Sequence, residues 1–262
     1  MERETFTVVA AGARLEAAWI GPHAPGPTLV LLHEGLGCIR MWRDWPDDLV
    51  RATGLRALAF SRAGYGNSDP IERPRPLDYM EREGESVLPE VLDAAGIHDA
   101  ILVGHSDGAT IALVHAGTAA SRPRVRGVVA LAPHVFCEDC SVAAIRVAKD
   151  AWLHGDLRER LRKHHGDNVE HAFWGWNDAW LDPRFRAWNV ERYLPAIEIP
   201  IALVQGADDE YGTLRQLDAI AAGVRGPVTR TVLAECGHSP HRDRPTETTA
   251  VVAELVASLR LR

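Results

Sequence analysis

Ser106 stands between two glycines in Gly104-His105-Ser106-Asp107-Gly108. An apolar run, Ala100 to Val103, precedes the pentapeptide, and Ala109 to Leu113 follows it. This pattern predicts a strand ending at Gly104, a helix starting near Asp107, and the serine on the sharp turn between them. Such a turn crowds neighbouring Cβ atoms, and glycine tolerates that crowding at least cost. The serine Oγ is left exposed at a helix N-terminus, where free N–H groups and the macrodipole favour developing negative charge. A serine hydroxyl is a weak nucleophile until a base takes its proton, and the base needs a carboxylate to fix its tautomer. Candidates for both follow later apolar runs. Asp208, Asp209 and Glu210 come after Ile201 to Val204, and His238 and His241 come after Val228 to Leu233. Ser, Asp and His in that chain order fit acyl transfer through a covalent acyl-serine. Taken alone, the pentapeptide also fits a turn with a helix N-cap serine.

Strands that end where these residues begin must position them. Thr5 to Ala10 and Arg14 to Ile20 read as a hairpin around Gly12. Thr28 to Leu32 and Leu55 to Phe60 read as strands buried on both faces, with a helix from Asp44 to Thr53 between them. A largely helical stretch from Asp78 to Ala95, restarted around Ser86-Val87-Leu88-Pro89, stops at Gly96. Val125 to Ala132 is a further strand. Helical patterns then replace strands: Val142 to Leu153, Leu157 to His165 and the Trp-rich stretch from Glu170 to Trp188. Strands resume with Pro200 to Val204 and Val228 to Leu233, separated by a helix over Leu214 to Ala222 and followed by one over Thr246 to Leu259. The expected architecture is α/β, with a mostly parallel sheet and helices on both faces. Residues 1–133 and 196–262 form the core, and residues 134–195 form a helical lid over the crevice at the strand ends.

Composition narrows the partners. A net charge of −7 argues against a polyanion, and Arg158, Arg160, Arg162 and Lys163 read as a solvated helix face. We therefore expect a small-molecule substrate and no nucleic acid. No run reaches the roughly 18 apolar residues of a membrane span. The charged start, Met1 to Thr5, has no secretory pattern, so no membrane partner and a cytoplasmic location are expected. Four cysteines, Cys38, Cys137, Cys140 and Cys236, are too few for a disulfide framework at this length. The single C-x-x-C at Cys137 to Cys140 lacks further ligands, so neither metal nor cofactor is expected.

The motifs together resemble the α/β-hydrolase family from end to end. Leu31-Leu32-His33-Glu34-Gly35-Leu36-Gly37 is similar to its oxyanion-hole loop, and Ser61 to Asp69 to its Gly-rich loop after the next strand. Gly206-x-x-Asp209 and Cys236-Gly237-His238 are similar to its acid and histidine loops. The resemblance implies the α/β-hydrolase fold, with Ser106 as nucleophile, His238 as base in preference to His241, and Asp209 as orienting acid in preference to Asp208. The backbone N–H of Asp107, the residue after the nucleophile, is one expected oxyanion donor. Gly35, or alternatively Leu36, supplies the other by analogy with the family.

Three positions depart from that pattern. Glu34 replaces the usual glycine after the loop histidine, Asp107 places a second acid at the elbow, and Ser61 stands where relatives carry Asp. The expectation is that Glu34 turns inward and that Asp107 caps helix amides, with orientation of the substrate or a water by one of them as the alternative. Of eight tryptophans, Trp152, Trp174, Trp176, Trp180 and Trp188 lie in the insertion. Trp152, Trp174, Trp176 and Trp180, with Tyr211, Trp42, Met41 and Glu34, are candidates for the pocket wall. The expected activity is a carboxylic ester hydrolase acting on a small or medium, partly apolar ester, thioester or lactone. A carbon–carbon bond hydrolase of the meta-cleavage-product type, or a related lyase or synthase, shares the same triad. A ligand-sensing receptor on this fold is a remote alternative. Halide-releasing chemistry would need Asp at the elbow, and epoxide opening is disfavoured likewise.

Overall fold

The computed structural model describes residues 3–260; Met1 and Glu2, the first two of the charged N-terminal run, lie outside the described residues. Eight strands form one sheet in the order β1-β2-β4-β3-β5-β6-β7-β8. They are β1 Arg3–Ala10, β2 Ala13–Ile20, β3 Thr28–Leu32, β4 Ala57–Phe60, β5 Ala100–His105, β6 Val125–Leu131, β7 Ile201–Gly206 and β8 Val228–Leu233. The β1–β2 hairpin and the β2–β4 pair are antiparallel, and β3, β4, β5, β6, β7 and β8 run parallel. Strands β3 and β5 are neighbours, although the chain first crosses outward to β4. That reversal is a topological switch point, and it opens a crevice at the carboxyl ends of β3 and β5.

Helices cover both faces because both faces are apolar. On one side α1 (Trp45–Thr53) and α10 (Pro245–Arg260) pack on Leu29, Leu31, Ile101, Val103 and Val129. On the other, α2 (Tyr79–Arg82), α3 (Leu88–Ala94), α4 (Asp107–Ala116) and α8 (Arg215–Gly223) pack on Val30, Leu32, Leu102, Val128 and Leu203. Alternate residues of each parallel strand thus enter opposite cores. The stretch from Asp78 is broken as its sequence suggests: a π turn over Glu83–Val87 separates α2 from α3. Pro89, in the first turn of α3, has no N–H to continue an α-helical ladder across the join.

Between β6 and β7 the chain forms α5 (Asp139–His154), α6 (Leu157–His165) and α7 (Val169–Leu181), with 3-10 turns over Pro183–Ala187 and Glu191–Ala196. The insertion is fastened to the core by polar contacts. His165 Nδ1 accepts from the Gly66 N–H at 3.0 Å, and its Nε2 lies 3.0 Å from the Leu36 carbonyl. Asn168 Nδ2 donates to the carbonyl of Ser68 at 2.6 Å. The short helix α9 (Pro240–Asp243) follows the loop after β8.

Candidate active site

The parallel registers place the ends of β3, β5, β7 and β8 along one edge. Leu32 pairs with Gly104, and Gly206 pairs with Leu233. The chain leaves β5 through Ser106, whose φ of 54° and ψ of −119° lie outside the ordinary regions for an L-residue. Its glycine neighbours are required by space. A Cβ on Gly108 would sit 1.9 Å from the Leu32 carbonyl oxygen, and one on Gly104 2.3 Å from that of Gly108. The strained serine is held from below by its N–H, which donates to the Leu131 carbonyl at 2.9 Å. A sterically costly backbone that its surroundings over-determine is typical of a functional turn.

Three side chains from three strand ends meet here. His238 Nε2 lies 2.9 Å from Ser106 Oγ, and His238 Nδ1 lies 2.8 Å from Asp209 Oδ1. The same Oδ1 accepts from the Tyr211 N–H at 2.9 Å, and Oδ2 accepts from Gln205 Nε2 at 3.2 Å. Burial works to raise the Asp209 pKa, but the His238 bond and the Tyr211 amide outweigh it and hold the carboxyl below its usual range. The imidazole therefore faces an ionised carboxylate on one side and a hydroxyl on the other. Asp208 is solvent-exposed, and Glu210 is exposed at the rim of the cavity, so neither competes for the ring. His241 is buried against Trp42 and Trp45 and makes no hydrogen bond through its ring among the described residues.

The N–H groups of Gly35 and Asp107, and that of Leu36, make no hydrogen bond among the described residues. Gly35 also tolerates a close neighbour: a Cβ there would lie 2.3 Å from Trp176 Cδ1. The insertion thus packs directly over the backbone of the β3 loop.

Both unexpected acids are paired. Asp107 does not cap helix amides, contrary to expectation; Tyr79 Oη donates to its Oδ2 at 2.5 Å, and the Arg62 guanidinium lies 3.7 Å away. Trp180 Nε1 of α7 donates in turn to Tyr79 Oη at 3.0 Å, tying the insertion to the elbow. Burial raises the Asp107 pKa, and Arg62 and the Tyr79 hydroxyl pull in the other direction. Glu34 accepts from Arg242 at 3.2 Å, and its other oxygen lies 3.5 Å from His105 Nδ1. Burial opposes its ionisation, but His105 and Arg242 hold it well below the usual carboxylate range. Ser61 donates to Glu16 and accepts from the Ile39 N–H, so its role is local to the loops.

A cavity of about 280 Å³ opens above Ser106 and His238. Glu34, Met41, Trp176, Trp180 and Tyr211 line it, together with Ile145, Leu157 and Leu161 of the insertion. Three pocket candidates do not. Trp42 is buried beneath the loop and stacks on Trp45 at 5.5 Å, because its ring completes the core on the α1 side. Trp152 stacks on Phe173 at 4.0 Å, and Trp174 donates to Glu170 at 2.9 Å; both knit the insertion together. His105, His134 and Arg242 also line the cavity; His105 adjoins Ser106 and Arg242 lies just past His238 in the chain, whereas the sequence offered no signal for His134. Among the described residues no group of three or more His, Cys, Asp or Glu is arranged to hold a metal ion. No helix there is long and apolar enough to cross a membrane.

His33, His134 and His241 give the fold a pH dependence. Burial lowers each ring's pKa, with like charges adding to the effect, and His134 is pushed down to about 3. The unfolded chain takes protons near the ordinary histidine value of about 6.5 while the folded chain does not. The unfolded state then binds more protons, so stability is complete above about pH 6.5 and is lost as pH falls toward the folded values. Below about pH 6.5 the unfolding free energy is expected to fall by about 1.4 kcal/mol per pH unit for each histidine that stays neutral, and the urea midpoint should fall with it between pH 7 and 5. An unchanged midpoint contradicts the buried-neutral assignment.

Comparison with known proteins agrees with this geometry at the level of fold. The model of the alpha/beta hydrolase family matches residues 29–251. Epoxide hydrolase 3 of Siraitia grosvenorii is 33% identical over 111 residues, which are 42% of this chain and 33% of that protein. The chain thus spans about a third of the length of the curated relatives it matches. A bacterial membrane phospholipase A superposes with a TM-score of 0.77 at 18% identity, covering 99% of this chain and 87% of that one. Carboxylesterase CesB of Bacillus subtilis gives 0.72 at 19% identity, covering 98% and 93%.

Proposed function

Because the chain belongs to the α/β-hydrolase family, we propose that it is a serine hydrolase cleaving a small or medium, partly apolar carboxylic ester, thioester or lactone. The observation that carries this reading is the unbroken hydrogen-bonded array Asp209–His238–Ser106, opening on a cavity walled by Trp176, Trp180 and Ile145. His238 Nε2 takes the Ser106 proton as Oγ attacks the carbonyl carbon. The electron pair moves to the carbonyl oxygen, which the Gly35 and Asp107 amides receive. The carbon–oxygen or carbon–sulfur bond breaks as His238 returns the proton to the leaving alcohol or thiol. Water, deprotonated by the same ring, then attacks the acyl-serine and releases the acid. The insertion over residues 134–195 acts as a lid that keeps bulk water from the acyl group. The four free cysteines suit the reducing cytoplasm.

The epoxide hydrolase names among the relatives do not transfer easily to this elbow. A serine that opened an epoxide would form an ether, which has no carbonyl for water to attack, so turnover would stop. Acyl chemistry regenerates the serine and fits the hydroxyl at position 106.

The test is a panel of p-nitrophenyl esters of graded acyl length set against vinylogous β-diketones. Hydrolysis of the esters with a short-to-medium chain optimum is expected. Cleavage of the diketones alone would replace this reading with carbon–carbon bond hydrolysis.

A further inference from the structure

His134 shares the cavity with Ser106, and no group of the protein hydrogen-bonds its ring among the described residues. It follows β6, is 2% exposed and lines the cavity. Its ring centre lies 5.7 Å from that of His238 and packs edge-on at 5.3 Å against Trp180. Neither ring nitrogen makes a hydrogen bond among the described residues; Nδ1 is shut off beside Gly212, so Nε2 is the nitrogen left for a ligand in the cavity. The backbone around it is pinned, since Thr110 Oγ1 donates to the His134 carbonyl at 2.6 Å. Burial pushes the ring down to about 3, so it stays neutral and offers one N–H donor and one lone pair.

Gln205 Oε1 and His105 Nδ1 also lack hydrogen-bond partners, but both are closed off from the cavity, and the carboxylates nearby are paired. Asp209 already accepts from His238, Tyr211 and Gln205 without His134. Ser141 donates to the Tyr211 carbonyl at 2.5 Å, and Glu34 is bound by Arg242. The Tyr211 ring also lies 4.6 Å from His238. Unlike His241, which is enclosed between Trp42 and Trp45, His134 lines the cavity, where an incoming group can complete its free nitrogen.

Resting on the serine-hydrolase reading, we propose that His134 is a substrate-binding residue. Its imidazole hydrogen-bonds a hydroxyl or oxo oxygen carried close to the scissile carbonyl, so that the site prefers an oxygenated substrate to its hydrocarbon counterpart. A site built to hydrogen-bond a substrate oxygen rejects the analogue lacking it more strongly than an apolar pocket rejects a lost methylene.

The experiment compares two matched pairs of esters on the full chain. One pair varies the acyl side, p-nitrophenyl 3-hydroxybutyrate against p-nitrophenyl butyrate. The other varies the leaving group, 2-hydroxyethyl butyrate against ethyl butyrate. In at least one pair the oxygenated ester is expected to have the higher kcat/KM by about tenfold or more. His134→Leu should bring that ratio to about one, while His134→Gln, which keeps a donor and an acceptor, retains part of it. Absence of preference in both pairs, or a preference that survives His134→Leu, overturns the proposal. Equal slowing of all four esters in His134→Leu also overturns it, by making His134 a group that positions the triad. Calorimetric binding of the same esters to Ser106→Ala separates this inference from the reaction assignment. A His134-dependent difference in binding without turnover by the wild type would sink the hydrolase reading and leave the recognition by His134 standing.

Discussion

Replacing Ser106 by alanine is expected to lower hydrolysis of a chromogenic short-chain ester by about a million-fold, and His238→Ala by a comparable factor. The two act as one unit: His238 Nε2 is 2.9 Å from Ser106 Oγ, so loss of either leaves a hydroxyl that is never deprotonated or a base with nothing to activate. The double variant should therefore be hardly worse than either single one. Ser106 is already at a strained backbone position, with φ of 54°, and alanine must adopt the same conformation. Denaturation midpoints should accordingly change little, which separates lost chemistry from lost fold. Labelling by a fluorophosphonate, followed by mass spectrometry, checks the same claim: the adduct should fall on Ser106 and be absent from Ser106→Ala. Substantial ester turnover by Ser106→Ala would remove the acyl-enzyme mechanism.

The second large effect belongs to Asp209. Asp209→Asn is expected to lower kcat by about ten-thousand-fold, because an amide no longer fixes His238 with its proton on Nδ1 and its lone pair toward the serine. Asp208→Asn should change kcat/KM by less than about threefold, as is usual for an exposed position without partners in the site. The pair of variants is a sharp test, since the two acids are adjacent in sequence and only one reaches the ring. Asp209 is oriented by Gln205 and by the Tyr211 N–H, whereas the Asp208 side chain is exposed to solvent. Equal losses in both variants, measured as steady-state kcat on one ester, would mean that the carboxylate acts through the loop rather than through the imidazole.

Much of this architecture is legible in the chain itself. Continuous apolar runs such as Ile101 to Val103 and Ile201 to Val204 are strands because both faces are buried under helices. Gly104 and Gly108 announce the elbow because backbone oxygens lie within 2.3 Å of where their Cβ atoms would be. The order of Ser106, Asp209 and His238 at successive strand ends follows from parallel topology, which delivers every such end to one edge.

Side-chain direction is another matter. The eight tryptophans look alike in sequence, yet Trp176 and Trp180 reach the cavity while Trp152 and Trp174 pack within the insertion. Which way each points depends on helix rotation and on partners distant in the chain, such as Phe173 for Trp152 and Tyr79 for Trp180. The two acids flanking the oxyanion loop show the same division. Their presence at positions 34 and 107 is plain from the sequence, but their neutralisation by Arg242 and by Arg62 with Tyr79 is not.

The strands, the elbow and the candidate serine, acids and histidines can be read along the chain, because they depend on local periodicity and on glycine sterics. Where the charges of Glu34 and Asp107 go, and that the His134 ring next to His238 has no internal hydrogen bond, emerged from the folded contacts alone. Those outcomes depend on contacts between residues far apart in the chain, and hydrogen bonds and ion pairs of that kind leave no period in the sequence.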